Sequence, residues 1–183
     1  MFWIFVSIKS NICLGKIALA VASSGIAATL LPGGRTAHST FKLPIDLINN
    51  ENPTCNIKRG TNLAKLLEQT LLIVWDECTM AHKKAFEALD KTLQDIRRNS
   101  NVMGGITVLF SGDFRQTLPV ISRGTPADEV NACLKNSYLW SHIQKLNLTI
   151  NMRVQLTGSF EAAVFSHNLI QLGDGKIPQD ANG

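Results

Sequence analysis

Three predominantly apolar runs, each ending in a polar cluster, constrain what this chain can fold into more than any other feature. Ile17 to Ala22 reads Ile-Ala-Leu-Ala-Val-Ala and runs into Ser23-Ser24-Gly25. Leu71 to Trp75 reads Leu-Leu-Ile-Val-Trp and runs into Asp76-Glu77, and Ile106 to Phe110 runs into Ser111-Gly112-Asp113. Short runs without polar alternation belong to strands buried on both faces, as in parallel sheets. Between the second and third runs, Phe86, Leu89, Leu93 and Ile96 recur at three- and four-residue steps among charged residues, which predicts an amphipathic helix. Thr61 is placed to cap another helix running through Thr70. Strands alternating with helices predict a doubly wound α/β domain, whose mostly parallel sheet gathers ligands at the carboxyl ends of its strands. All three polar clusters fall at that edge.

Farther on, Leu146, Leu148 and Ile150 alternate with polar residues, predicting a fourth strand with Asn151-Met152-Arg153 at its tip. Ser159 to Leu172 predicts a helix closed by Gly173-Asp174-Gly175. The stretch from Asp46 to Gly60, with its Asn, Pro and charges, is the expected mobile connection. The 183 residues, 45% of them hydrophobic, suffice for one core. No apolar stretch approaches the ~20 residues of a membrane span, so no membrane partner is expected. Cys13, Cys55, Cys78 and Cys133 form no C-x-x-C pair, which favours buried or free thiols over a zinc site or disulfide framework. The net charge of +4 is concentrated early: Met1 to Gly60 holds six basic residues against Asp46 and Glu51, and the remainder balances. A basic first third fits a face that contacts phosphates, and equally a solvated surface.

The polar clusters carry groups suited to phosphate chemistry. An aspartate at a strand tip, Asp76, can hold a magnesium-bound water, and the adjacent Glu77 can orient an attacking water. The same pair also suits a helix start, where acids complement the dipole. Asp113, Arg115 and Gln116 place a carboxylate, a guanidinium and an amide after the next strand, where the amide can bond a terminal phosphate or the attacking water. Read structurally, they form a polar turn with Asp113 capping. Arg153 could bring a permanently charged fork to the same edge. Gly33-Gly34-Arg35-Thr36-Ala37-His38-Ser39 combines flexible backbone, a cation and hydrogen-bonding side chains, a cradle for a nucleic-acid backbone or an ordinary glycine turn with His38 buried or capping.

Taken together and in order, Ala20-Val21-Ala22-Ser23-Ser24-Gly25-Ile26-Ala27-Ala28, Gly33 to Ser39, Trp75-Asp76-Glu77-Cys78-Thr79-Met80, Ser111-Gly112-Asp113-Phe114-Arg115-Gln116-Thr117-Leu118-Pro119-Val120 and Leu148-Thr149-Ile150-Asn151-Met152-Arg153 resemble the Pif (petite integration frequency) helicases of superfamily one. The wording is most similar to the branch carried by Helitron-type mobile elements. The resemblance covers Lys16 to the C terminus and implies part of a first RecA-like motor domain, over residues 16–183, of an ATP-dependent 5′-to-3′ DNA helicase. It implies ATP as substrate, Mg2+ as cofactor, single-stranded and forked DNA as partners, a monomer, a nuclear location, and roles in recombination, repair and telomere maintenance. Position by position, Asp76 would serve the magnesium through water, Glu77 would be the base, Gln116 the γ-phosphate sensor and Arg153 a phosphate contact. Asp113 and Arg115 would join the nucleotide site, and Ser23, Ser24, Gly25, Arg35, Thr36 and His38 the DNA path.

One departure stands out. No G-x-x-x-x-G-K-[ST] loop is spelled in the sequence; Gly15-Lys16 is followed by Ile17, and Ser10 stands where the first glycine should be. Without the backbone cradle and its lysine, ATP affinity is expected to fall severely. Residues 1–15, rich in Phe, Trp and Ile, are expected to lie outside the family pattern. With no second motor domain expected in the chain, it is not expected to unwind DNA alone. The alternatives are a non-catalytic remnant that binds single-stranded DNA, and an unrelated P-loop ATPase or kinase, which leaves the Gly-Asp-Phe-Arg-Gln and Asn-Met-Arg segments unexplained.

Overall fold

The computed structural model describes residues 17–148, 152–157 and 160–176. They fall into two compact units that divide after Ile143. The first unit holds the sheet. Its strands are β1 (Ile17–Ala22), β2 (Arg35–Thr36), β3 (Thr70–Asp76) and β4 (Thr107–Phe110), in the order β2-β1-β3-β4 and all parallel. The helices are α1 (Gly25–Thr29), α2 (Ala37–Phe41), α3 (Asn62–Gln69), α4 (Lys83–Arg97) and α5 (Pro126–Ala132). From β1 the chain moves to β2 on one side, then returns to lay β3 on the other. The order therefore reverses between β1 and β3, the place where an open α/β sheet offers a crevice at its carboxyl edge.

The apolar runs become strands because helices cover both faces of the sheet. On one face, Ala27, Ala28 and Leu31 pack with Ala22, Leu72 and Val74. On the other, α2, α3 and α4 bury Phe41, Leu67, Phe86, Leu89 and Leu93 against Ile73 and Trp75. Each such large side chain stabilises the fold by about 1.5–3 kcal/mol on full burial. Trp75, 1% exposed, is the centre of this packing, with ring centroids 4.6 Å from Phe86, 5.8 Å from Phe41 and 6.4 Å from Phe110.

Several expectations hold closely. Thr61 caps α3 through its hydroxyl on the Ala64 amide, and Thr70 closes the helix. The α4 periodicity buries Phe86, Leu89, Leu93 and Ile96. The segment expected to be mobile is instead fastened along α4. The Cys55 amide donates to Thr92 Oγ1, Lys84 Nζ to the Ile48 and Asn50 carbonyls, and Arg59 pairs with Asp95. Leu47, Pro53 and Cys55 are buried there. Composition marked the segment as polar, but three long-range tethers to one rigid helix override that mark.

In the second unit the described part of the expected fourth strand is not a strand. Leu146 and Leu148 are 77% and 83% exposed and lie in no regular element, while Thr149 to Asn151 fall outside the described residues. Alternation needs a neighbouring strand to become a ladder, and no strand is recorded beside Leu146 and Leu148. Arg153 consequently stands in the first turn of helix α6 (Met152–Thr157), not at a strand tip. Helix α7 (Phe160–Gly173) follows, closed by Gly175 at φ 67° with its amide on the Leu172 carbonyl. Among the described residues no helix is long and apolar enough to cross a membrane.

Candidate functional site

Parallel register lines up the strand ends. Ala22 pairs with Thr36 on one side and with Asp76 on the other, and Trp75 pairs with Phe110. Ser23-Ser24-Gly25, Ala37-His38, Glu77 and Ser111-Gly112-Asp113 therefore all emerge at one carboxyl edge. Backbone bonds lock the joints: the Ser23 amide donates to the Asp76 carbonyl at 3.1 Å, Ser111 to Trp75 at 2.9 Å, and Cys78 to Ser111 at 2.8 Å. Gly112 is required by this closeness, since a Cβ there would stand 2.9 Å from Thr79 Cγ2 and 3.2 Å from Cys78 Sγ.

Asp76 is 4% exposed. Its Oδ1 accepts from the Glu77 amide at 3.0 Å, while its buried Oδ2 has no hydrogen-bond partner. A buried carboxylate oxygen without a donor is costly unless something else satisfies it. No three His, Cys, Asp or Glu side chains among the described residues converge as direct ligands of a metal ion. One orphaned carboxylate oxygen at a strand tip fits magnesium nonetheless, because that ion keeps several waters and takes one or two carboxylates beside phosphate oxygens.

Glu77 sits in the left-handed region at φ 50°, where it opens the turn Cys78–Met80. Burial, then the negative charges of Asp76 and Asp113, push its carboxyl above the usual glutamate range. Burial also works against the charge of Asp113, but hydrogen bonds from the Arg115 amide and guanidinium and from the Gln116 amide group outweigh it and hold that carboxyl low. Arg115 N and Nε lie 3.0 and 3.1 Å from Oδ1, and Gln116 Nε2 lies 3.4 Å from Oδ2. The polar turn and the convergence of three functional groups are thus the same object. Cys78 beside them has its thiol pushed up to about 12 by burial and by the charges of Asp76 and Glu77, so it stays protonated.

The β1 and β2 ends are built differently. Ser24 caps α1 through its side chain on the Ala27 amide, and Thr36 caps α2 through Oγ1 on the Ser39 amide. Ser23 Oγ accepts from Trp75 Nε1 at 3.0 Å. Gly25, Arg35 and His38 are exposed, so of the two forms of the glycine-turn reading the one with His38 buried falls away. Sequence reasoning missed β2, the Trp75–Ser23 bond and the edge-to-face contact of Phe114 with Trp140. Gly112 between Ser and Asp was a readable signal, whereas no local signal marks the other three. The side chain of Arg153 lies outside the described residues.

A profile of PIF1-like helicases matches residues 2–183, a span that takes in all but the first of the residues 1–15 expected to lie outside the family pattern. The chain belongs to the PIF1-like helicase family. It is 31% identical over 149 residues to the ATP-dependent DNA helicase Pif1 of Psychrobacter sp., covering 81% of this chain and 22% of that relative. It is 29% identical over 164 residues to the PIF1 helicase of Candida albicans, covering 87% of this chain and 18% of that one. The chain thus spans about a fifth of these relatives. Among solved structures, Pif1 from Candida albicans superposes with a TM-score of 0.68 at 27% identity, over 94% of this chain and 37% of that one. Bacteroides Pif1 bound to single-stranded DNA superposes with a TM-score of 0.60 at 25% identity, over 75% and 32%. The all-parallel sheet with helices on both faces matches the expected RecA-like motor fold.

Proposed function

We propose that this PIF1-like chain supplies the hydrolytic edge and part of the DNA path of an ATP-driven, 5′-to-3′ DNA helicase. The observation that carries it is the register that puts Thr36, Ala22 and Asp76 in one row, with Asp76 Oδ2 buried and unpartnered at the sheet's switch point. Asp76 would hold magnesium through a bound water, and the ion would neutralise charge on the phosphates. Glu77 takes the proton of the attacking water; burial and the two neighbouring carboxylates, which raise its affinity for a proton, suit it to that task. Gln116, whose side chain donates to Asp113, would sense a terminal phosphate, and Arg115 adds a cation to the same loop. Ser23, Ser24, Gly25, Arg35, Thr36 and His38 line the neighbouring strand ends, where half-buried hydroxyls beside an exposed cation and an exposed imidazole suit a phosphodiester backbone. Nuclear recombination and repair of DNA are the processes such an activity would serve.

The test is DNA-stimulated ATP hydrolysis by the chain, alone and preceded by a G-x-x-x-x-G-K-[ST] strand-and-helix segment. Turnover is expected in the extended form and is expected to fall about 10²-fold or more in Glu77→Gln. Equal turnover with and without the Glu77 carboxylate would sink the assignment.

A further inference from the structure

The loop that carries Asp113, Arg115 and Gln116 has no regular structure from Ser111 to Val120 beyond a turn at Phe114 to Gln116. Backbone bonds fix its start, at Ser111 to Trp75 and Cys78, and one internal bond from the Gln116 amide to the Asp113 carbonyl closes the turn; beyond these, side chains hold it. Phe114 packs against the main core cluster. Its ring meets Trp140 edge-on, with centroids 5.9 Å apart at 89°, and Lys135 Nζ stands 4.2 Å from its centroid. Both contacts are of favourable type, an edge-to-face aromatic pair and a cation against a ring.

The anchor points are themselves fixed. Trp140 belongs to the turn Tyr138–His142, and Lys135 to the turn Leu134–Asn136. These turns are bolted to α4: Tyr138 Oη donates to Asp90 Oδ2 at 2.6 Å and Ser137 Oγ to Glu87 Oε1 at 2.7 Å, while Leu134 and Leu139 are each 1% exposed. Asp90 is held in turn by the Met103 amide and Gln94. A continuous path thus runs from the helix that packs on Trp75, through two turns, to a ring within the loop.

We propose that Phe114 is a positioning residue: clamped between Lys135 and Trp140, it sets where Asp113, Arg115 and Gln116 stand beside Glu77. The claim about position rests on the hydrolytic role proposed above; the clamp itself does not. A ring that merely filled a surface gap would leave the loop in place when removed.

Trypsin separates these cases in the whole chain, because the bond after exposed Arg115 lies in the loop whereas the bond after Lys91 lies in α4 and opens only on wider unfolding. In Phe114→Ala, cleavage after Arg115 relative to Lys91 is expected to rise roughly tenfold, with a smaller rise in Lys135→Met and near-native rates in Phe114→Tyr. An unchanged ratio in Phe114→Ala overturns the clamp. In the hydrolysis assay, kcat is expected to fall in Phe114→Ala with KM for ATP little changed, and to recover in Phe114→Tyr. A released loop with undiminished kcat overturns the positioning role. A released loop in a protein that hydrolyses no ATP even with Phe114 and Glu77 intact supports the clamp and removes the hydrolytic assignment instead.

Discussion

The end of β3 and the ends of β1 and β2 share one sheet edge, yet they are built on opposite principles. At β3, Asp76 is buried, its neighbours are locked by backbone bonds on both sides, and one carboxylate oxygen is left without a donor. At β1 and β2, the hydroxyls cap short helices, and Gly25, Arg35 and His38 face solvent. A desolvated site gains strength from each fixed charge but tolerates little displacement. An exposed lip works through screened, long-range attraction and tolerates a good deal. Chemistry belongs to the first kind of environment, and contact with a long polyanion to the second. The Trp75–Ser23 hydrogen bond links the two.

The largest effect should come from removing the ring that both regions share. Trp75→Ala is expected to destabilise the chain by about 3–5 kcal/mol, read as a shift in the urea midpoint. A shift confined to surface-mutation size would mean that the strand ends are organised without this residue. Asp113→Asn should act on the buried region alone. Glu77 must be ionised to accept a proton, and its affinity for that proton is raised, so turnover should fall on acidification at a pH above the usual glutamate range. Removing the Asp113 charge lowers that affinity, so the acid limb of the rate profile should move to lower pH while burial keeps part of the shift. A limb that stays put or moves upward would show that Asp113 does not act on Glu77. The smallest effect belongs to the exposed lip. Arg35→Ala together with His38→Ala should weaken single-strand binding a few-fold at low salt and lower the slope of log affinity against log salt by about 0.7, the contribution of one lost cation on a single strand. An unchanged slope would take Arg35 off the DNA path.

Much of the fold was legible because its signals are local. Thr61 and Thr70 bound α3 as expected, since a cap is a contact within one turn. Asp76 and Glu77 stood out because a carboxylate pair directly follows a run of large apolar residues that reads as a buried strand. What misled was equally specific. The alternation of Leu146 and Leu148 looks like a strand but has no neighbouring strand among the described residues, and the polar segment from Asp46 to Gly60 is tethered by Thr92, Lys84 and Asp95 through bonds that span 34 to 37 residues of chain. The role of Phe114 was hidden for the same reason, because its partners at positions 135 and 140 are set by the fold.

By itself the sequence determined the strand runs, the α4 stripe, the acidic pair and the order of motifs that mark the family, because each depends on side-chain periodicity or on adjacent residues. Tertiary structure alone decided the two-residue strand β2, the orphaned oxygen of Asp76, the bond from Trp75 to Ser23 and the clamp on Phe114. These depend on register between strands and on burial, and both are properties of the packed sheet that no window of neighbouring residues contains.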